Sequence, residues 1–161
     1  AIIEFVKVTA QGWNAEVMLF DDDQYVGSCW GVSHMRLEVD PGEHLFWIEA
    51  VDQLGFVEAN IEVNQVYIVI IDMTGTGSFM KIGLSPISMD NLSLVDRAKR
   101  VIYKHPVKVT TEEDISKKQA KLEKKGFIEK RMIKYNKKYK TSSRTKLLNG
   151  DMNIPLKYMQ Q

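Results

Sequence analysis

The residues of this chain that could do chemistry are concentrated in one lysine-rich segment, residues 117–140. Clustered ammonium groups attract polyanions such as nucleic-acid backbones and anionic membrane head groups. Because lysine is a point charge without the bidentate fork of arginine, the segment favours nonspecific attraction over the reading of a base sequence. The predicted anion- or partner-binding residues are Lys117, Lys118, Lys121, Lys124, Lys125, Lys130, Arg131, Lys134, Lys137 and Lys138.

The lysine-rich segment belongs to a chain whose charge is divided between two halves. Residues 1–90 carry three basic and 14 acidic residues, a net charge of −11. Residues 91–161 carry 19 basic and seven acidic residues, a net charge of +12. Such asymmetry indicates either an anionic partner or docking of one half on the other. Two interpretations of the lysines therefore stay open: they form a solvent-facing binding surface, or they dock on the acidic half.

The candidate metal ligands lack the spacing that a metal site needs. His34, His44 and His105 are the only histidines, and none has another histidine three or four residues away. His44 follows a Pro-Gly turn, which favours a role in orienting that turn. The run Asp21-Asp22-Asp23 lacks the alternating carboxylates and distant glutamate of a calcium loop. We predict no metal site, and a solvated hairpin turn at the aspartates.

Two further motifs fail as catalytic or cofactor sites. Gly75 and Gly77 are followed by a strand pattern, whereas a dinucleotide loop must open a helix. Cys29, the only cysteine, has no neighbouring base and is predicted to be a buried structural thiol. We therefore predict no catalytic residue, no cofactor and no enzymatic activity.

Five aromatic residues could form a ligand-binding patch, although aromatic residues of a small sandwich more often lie in the core or on a sheet surface. They are Trp13, Trp30, Trp47, Tyr25 and Phe46.

The scaffold for these residues begins with strands. Ser33–Val39 and Phe56–Val63 alternate between apolar and polar residues, as half-buried strands do. In the second run, the alternation predicts that the apolar members through Val63 are buried. Asp40-Pro41-Gly42-Glu43 predicts a tight turn between two antiparallel strands, with a positive φ at Gly42. The spacing of such signals predicts an antiparallel β-sandwich of seven or eight strands over residues 1–90.

Helical patterns follow after Ser85-Pro86 and predict an α+β chain. The first helix is capped by Asn91 or Ser93, and Thr110 with Glu113 forms a capping box for the second. Gly126 closes the second helix or kinks one long helix. Residues 91–140 thus form a basic extension of two or three helices, and residues 141–161 a flexible tail. The apolar stripes comprise Leu94, Val95, Ala98, Val101 and Ile102, then Ile115 and Leu122, then Ile128, Met132, Tyr135 and Tyr139.

Four motifs of the N-terminal half resemble a known type of small β-sandwich. They are Glu16–Phe20, Asp23–Gly27, Leu37–Leu45 with its Val-x-Pro-Gly-x-His turn, and Val63–Val69 with its Tyr-x-Val strand. Together they are similar to the PEGA-type surface domain and to a related bacterial family of unknown function, often exported or lipid-anchored. The resemblance covers about residues 1–88 and implies an immunoglobulin-like or PEGA-like sandwich. It supplies no catalytic residues and slightly favours an exported, cell-envelope location over the cytoplasm.

These observations predict a non-enzymatic binding or structural module of the bacterial cell envelope, oriented by its basic helices. The expected partner is a protein or an anionic surface. The alternative is a nucleic-acid-associated protein that binds DNA or RNA backbones through the lysine-rich helices. Assembly into a homo-oligomer is also an open possibility. No apolar run reaches the ~18 residues that span a bilayer, so no transmembrane segment is predicted.

Overall fold

The computed structural model describes residues 1–11 and 14–160, and the structural statements below concern those residues. They form two packed sheets flanked by helices, which confirms the predicted α+β chain with a β-sandwich. The strands are β1 (Ile2–Lys7), β2 (Val17–Asp21), β3 (Gln24–Cys29), β4 (Ser33–Glu38), β5 (Gly42–Ala50), β6 (Gln53–Ile61), β7 (Val66–Thr74), β8 (Lys81–Ile87) and β9 (Lys146–Leu148). The first sheet has the strand order β4-β1-β7-β8 and the second β3-β2-β5-β6-β9.

The two sheets are mixed, which corrects the prediction of a purely antiparallel sandwich. β1 pairs in parallel with β7, and β6 pairs in parallel with β9. The other pairings between strands are antiparallel. Alternation along a strand reports which residues face the core, but it carries no information about the direction of the neighbouring strand.

The main core lies between the two sheets. Phe5 of β1 and Phe46 of β5 meet there edge to face, with ring centroids 5.4 Å apart. β6 and β8 approach most closely at two glycines: a Cβ atom on Gly55 would lie 2.8 Å from the Cα atom of Gly83. Only a residue without a side chain fits this crossing.

The alternation of β6 is confirmed except at its end. Val57, Ala59 and Ile61 are buried, whereas Val63 is 60% exposed. β6 ends at Ile61, so Val63 lies in the connection to β7, where burial no longer follows the pleat.

Gly42 has the predicted positive φ, at 131°. However, its turn connects β4 to β5, and these strands belong to different sheets. The turn therefore carries the chain across the sandwich instead of closing a hairpin. Turn chemistry predicts a change of direction, but not which sheet receives the next strand.

The helices are α1 (Leu92–Lys104), α2 (Glu112–Lys124), α3 (Phe127–Lys134) and a short α4 (Leu156–Met159), with one π-helical stretch, Tyr135–Tyr139, directly after α3. α1 covers the outer face of the first sheet. The predicted apolar stripe of α1 faces the sheet, since Val95 and Ala98 pack with Val6 of β1 and Ile68 of β7. Asn91 caps α1 by accepting a hydrogen bond from the backbone N–H of Leu94 at 3.1 Å.

α2 and α3 cover the outer face of the second sheet. Leu122 and Tyr135 pack there on Trp47 and Phe56. Gly126 closes α2 with φ 60°, as predicted, and α3 begins at the next residue.

The capping box of α2 is shifted by one residue from the prediction of Thr110 and Glu113. Thr111 accepts a hydrogen bond from the Asp114 N–H and donates one to the Asp114 carboxylate. Both possible pairs have suitable spacing, and the structure selects the pair that leaves Thr110 packed against the edge of the sandwich.

The predicted flexible tail, residues 141–161, is wrong for the part described, because that segment packs on the sandwich. β9 adds to the edge of β6, and Leu148 and Ile154 are buried. The Ile154 N–H donates to the Val66 carbonyl at 2.7 Å. A three-residue strand is too short to show a period, which is why the sequence gives no signal for it.

The belt, defined here as residues 91–160, therefore runs around the sandwich. It covers the first sheet with α1, passes the edge near β4, covers the second sheet with α2 and α3, and reaches the far edge with β9. In the described part of the chain, no helix is both long and apolar enough to span a membrane.

Candidate anion-binding surface

Three of the four predicted lysines of α2 form one exposed stripe. Lys117, Lys121 and Lys124 are spaced four and three residues apart, so they lie on the same side of the helix. The opposite side carries Leu122, which is buried against the second sheet. The inward stripe of α2 therefore fixes the direction in which the lysines point.

α3 and the π-helical stretch continue this arrangement. Lys130, Lys134, Lys137 and Lys138 are exposed, while Ile128 and Tyr135 turn inward. Ile133 lies among these lysines and is 47% exposed. We call the exposed set the lysine face: Lys117, Lys121, Lys124, Lys125, Lys130, Lys134, Lys137 and Lys138.

Arg131 is not part of the lysine face, which corrects its predicted role. Its Nε donates to Glu49 at 2.7 Å and its Nη2 to the second carboxylate oxygen at 2.9 Å. Glu49 is buried on the outer side of β5, and the Arg131 guanidinium also lies 3.9 Å from the centre of the Phe127 ring. The hydrogen bonds that Arg131 donates to Glu49 raise the pKa of Arg131. Arg131 therefore attaches α3 to the sheet.

Lys118 is the second predicted residue that is not part of the lysine face. It is half-buried, and its Nζ lies 3.5 Å from the Glu16 carboxylate. An ion pair this long and this exposed contributes little, about 0–1 kcal/mol.

The two interpretations of the lysine-rich segment, docking on the acidic half or facing solvent, each hold for different residues. The helices do dock on the acidic half, but through their apolar stripe, Arg131 and Lys118. The remaining predicted lysines face solvent, as we expected from the stripe. Among the described residues, Lys117 is the one member of the lysine face that forms an ion pair, with Glu113 on its own helix.

Gln119 positions α2 in a way that the sequence did not indicate. Its Oε1 accepts from the Tyr25 N–H at 2.7 Å, and its Nε2 donates to the Asp23 carbonyl at 3.0 Å. The carboxamide thus makes the two bonds that a neighbouring strand would make with the edge of β3. A single glutamine in a helix has no pattern that predicts such a contact.

A groove lies between the edge of β3 and α2, with a volume of about 480 Å³. Trp30 forms part of its wall and is 51% exposed. The Nζ atom of Lys108, from the segment between α1 and α2, lies 5.0 Å from the centre of the indole ring. Lys108 was not among the predicted site residues, because it lies outside the lysine-rich segment.

The five aromatic residues do not form a ligand-binding patch in the part of the chain that the structure describes, where most of them lie in the core. Trp47 is fully buried with its Nε1 donating to the Asp22 carbonyl at 2.7 Å, and Phe46 lies in the core between the sheets. Tyr25 is buried beside Trp47 under α2 and α3. Trp30 alone is exposed among the described members, and Trp13 lies outside the described residues.

His44 orients the turn before it, as predicted. Its Nε2 lies 3.0 Å from the Asp40 carbonyl, and its Nδ1 lies 3.0 Å from the Asp21 carboxylate. Burial raises the pKa of Asp21, and the hydrogen bond from His44 opposes that shift. Asp21, Asp22 and His44 are close enough together to hold a cation, and the Asp21 carboxylate and the His44 ring already bind each other there.

His34 and Cys29 are buried structural residues. His34 Nδ1 lies 2.9 Å from the Glu4 carboxylate, and its Nε2 lies 3.1 Å from the His105 carbonyl at the end of α1. The Cys29 thiol is buried as predicted, and this burial raises its pKa to about 11. A thiol with so high a pKa is a poor nucleophile near neutral pH.

Comparison of the chain with protein-family models, with curated proteins and with solved structures finds no match. The resemblance to PEGA-type domains therefore stays a prediction.

Proposed function

We propose that this protein is a non-enzymatic binding module of the bacterial cell envelope that docks on an anionic surface through its lysine face. One observation carries the proposal. Seven lysines of α2, α3 and the π-helical stretch are exposed, as is Lys125 directly after α2, while the single arginine of the same segment is directed inward. The fold thus uses Arg131, the one side chain of this segment that can make two parallel hydrogen bonds, to attach α3 to the sheet. The ammonium groups of the lysines are left in solvent.

The chemistry of such a face suits a charged surface. Lysines near an anionic membrane contribute about 1 kcal/mol each, and the attraction falls within a Debye length of about 10 Å at moderate salt. Eight lysines would therefore bind measurably without any specific pocket. The exposed Ile133 adds a small apolar contact at the level of the head groups.

The acidic half supports a defined orientation on such a surface. Its 14 carboxylates repel the same surface that attracts the lysines. The belt holds the lysine face rigidly on the sandwich through Arg131 and Gln119. An anionic surface would therefore bind one side of the molecule and leave the acidic residues in solution. The resemblance to exported domains supports the cell envelope as its location.

Sedimentation with vesicles tests the proposal. We expect binding to vesicles of phosphatidylglycerol and phosphatidylcholine, no binding to phosphatidylcholine alone, and loss of binding as salt is raised. The variant Lys130→Gln, Lys134→Gln, Lys137→Gln, Lys138→Gln should lose most of this binding. A control with the same change in charge, Lys81→Gln, Lys104→Gln, Lys146→Gln, Lys157→Gln, should retain it.

Two outcomes would contradict the proposal. If both quadruple variants lose binding equally, only net charge matters and the lysine face has no special role. If duplex DNA or RNA binds in preference to the vesicles and displaces the protein from them, the nucleic-acid alternative replaces the envelope proposal.

A further inference from the structure

The groove between β3 and α2 has features that attraction to a flat anionic surface does not require. Its walls come from four separate parts of the chain, namely the residue before β2, β3 and the residue after it, the segment before α2, and α2 itself. The volume of about 480 Å³ is in the range of small-molecule sites. Its lining combines one exposed aromatic ring with several cations.

The aromatic ring is that of Trp30. The preceding residue, Cys29, is fully buried, yet the indole directly after it is 51% exposed. A half-exposed tryptophan offers a stacking surface, and stacking of a base on an aromatic side chain is worth about 1–3 kcal/mol. The Nζ atom of Lys108 lies over the ring, 5.0 Å from its centre, so a base that stacked there would take the place of this ammonium group and leave it free to bind a phosphate.

The cations outnumber the carboxylates of the groove. Four lysines line it, against Glu16 and Asp114. Both carboxylates have partners: Glu16 faces Lys118 at 3.5 Å, and Asp114 is held by Thr111 in the capping box. The four lysines are Lys108, Lys117, Lys118 and Lys121.

We infer that this groove binds a nucleobase-bearing phosphate, with the base stacked on Trp30 and the phosphate held by Lys108 and Lys121. A free nucleotide and a single-stranded nucleic acid share this chemistry. The inference goes beyond the proposed surface docking, because its central residue, Trp30, is not part of the lysine face. The two proposals can therefore fail separately.

Competition binding tests the inference with four probes: a labelled single-stranded oligouridylate, a labelled oligoadenylate, free nucleoside monophosphates, and inorganic polyphosphate as an anion without a base. Trp30→Ala should weaken oligonucleotide binding about ten-fold, the loss of one stacked base. Trp30→Phe should retain most of it, since a ring remains. Lys121→Gln should weaken binding several-fold, whereas Lys137→Gln, with the same loss of charge away from the groove, should have a smaller effect.

The probes also separate the sources of the ligand. Saturable binding of a free monophosphate that depends on Trp30 supports a nucleotide site, and binding restricted to the oligonucleotides supports a single strand. The inference is overturned if Trp30→Ala, with an unchanged melting temperature, binds the oligonucleotides as the natural protein does. It is also overturned if polyphosphate of equal charge competes as well as they do, or if no base-bearing probe binds. Vesicle binding by the Trp30→Ala variant should be unchanged in every case.

Discussion

The two outer faces of the sandwich are covered by helices, but the two covers are held by different kinds of contact. α1 lies on the first sheet through small and aliphatic side chains, among them Val95, Ala98 and Val101. α2 and α3 lie on an aromatic layer in which Phe20 and Trp47 stack with centroids 3.8 Å apart.

Polar contacts make the second cover more specific than the first. Gln119 bonds the edge of β3, Arg131 binds Glu49 with both of its donors, and the Tyr135 hydroxyl binds Glu58. Apolar packing alone tolerates sliding and repacking, whereas directional bonds to buried partners fix one orientation. The comparison indicates that α1 extends the core, while α2 and α3 form a platform whose outward side has to point in a defined direction.

Removal of both covers should have the largest effect. A fragment ending at Pro86 leaves Phe20, Trp47, Phe56 and Ile68 in solvent, a large apolar surface on each side. We expect this fragment to aggregate, as measured by light scattering after size-exclusion chromatography. A soluble, folded monomer would show instead that the belt is an appendage.

The ion pair under α3 should give the largest effect of a single substitution. Arg131→Met leaves the Glu49 carboxylate buried without its partner, so the free energy of unfolding should fall by about 3 kcal/mol in a denaturant titration. The double variant Arg131→Met, Glu49→Leu should recover most of this loss because no charge remains buried. If the single variant is as stable as the natural protein, the second cover does not depend on this pair.

High pH should weaken the second cover at Tyr135. Burial, and then the hydrogen bond to Glu58, raise the pKa of Tyr135 above its ordinary value of 10.0. The folded protein therefore keeps this proton where the unfolded chain loses it, and the stabilisation is present below pH 10 and lost as pH rises through the folded value. Tyr135→Phe should reduce this alkaline loss, measured as the free energy of unfolding between pH 8 and 11.

A matched control for this effect comes from the first cover. Val101→Ala also removes buried contacts of a helix, but it removes no titrating group. It should lower stability by a similar amount at every pH. Equal pH profiles for Tyr135→Phe and the natural protein would contradict the role of Tyr135. The profile of the natural protein also contains Tyr25, Tyr67 and Cys29, whose pKa values are raised mainly by burial, so Tyr135→Phe should remove only part of the loss.

The smallest expected effect concerns the glutamine on the edge strand. Gln119→Ala should cost about 1 kcal/mol, because water can replace part of each lost hydrogen bond at this exposed edge. Ser116→Ala, at an exposed position of the same helix, is the control and should change stability by less than about 0.5 kcal/mol. Thermal melting of the two variants gives the comparison, and equal melting temperatures would remove Gln119 from the set of positioning residues.

Local patterns in the sequence predicted most of what depends on local structure. The α1 stripe and the outward direction of most of the lysines follow from periods of three and four residues, and the closure of α2 follows from the left-handed conformation that Gly126 can adopt. Each of these features is decided within one helix.

Features that depend on contacts between residues far apart in the sequence could not be predicted from local patterns. Arg131 looks like any other cation of its run, and only its contact with Glu49, 82 residues away, assigns it to the interior. The same holds for β9, which is a strand because β6 offers it an edge. The groove depends on Trp30 and Lys108, which come together only because the belt crosses the sandwich there.

The path of the belt has a consequence for the order in which the protein is built. β6 acquires its last neighbour, β9, from residues 146–148, and the Val66 carbonyl receives its hydrogen bond from Ile154. In a chain synthesised from its N-terminus, the aromatic layer of the second sheet leaves the ribosome long before α2 and α3 do. Contacts this distant in sequence form slowly. Before the belt is added, the newly made sandwich therefore exposes the aromatic layer of the second sheet and the unpaired edge of β6. A chaperone would bind the protein best at this stage.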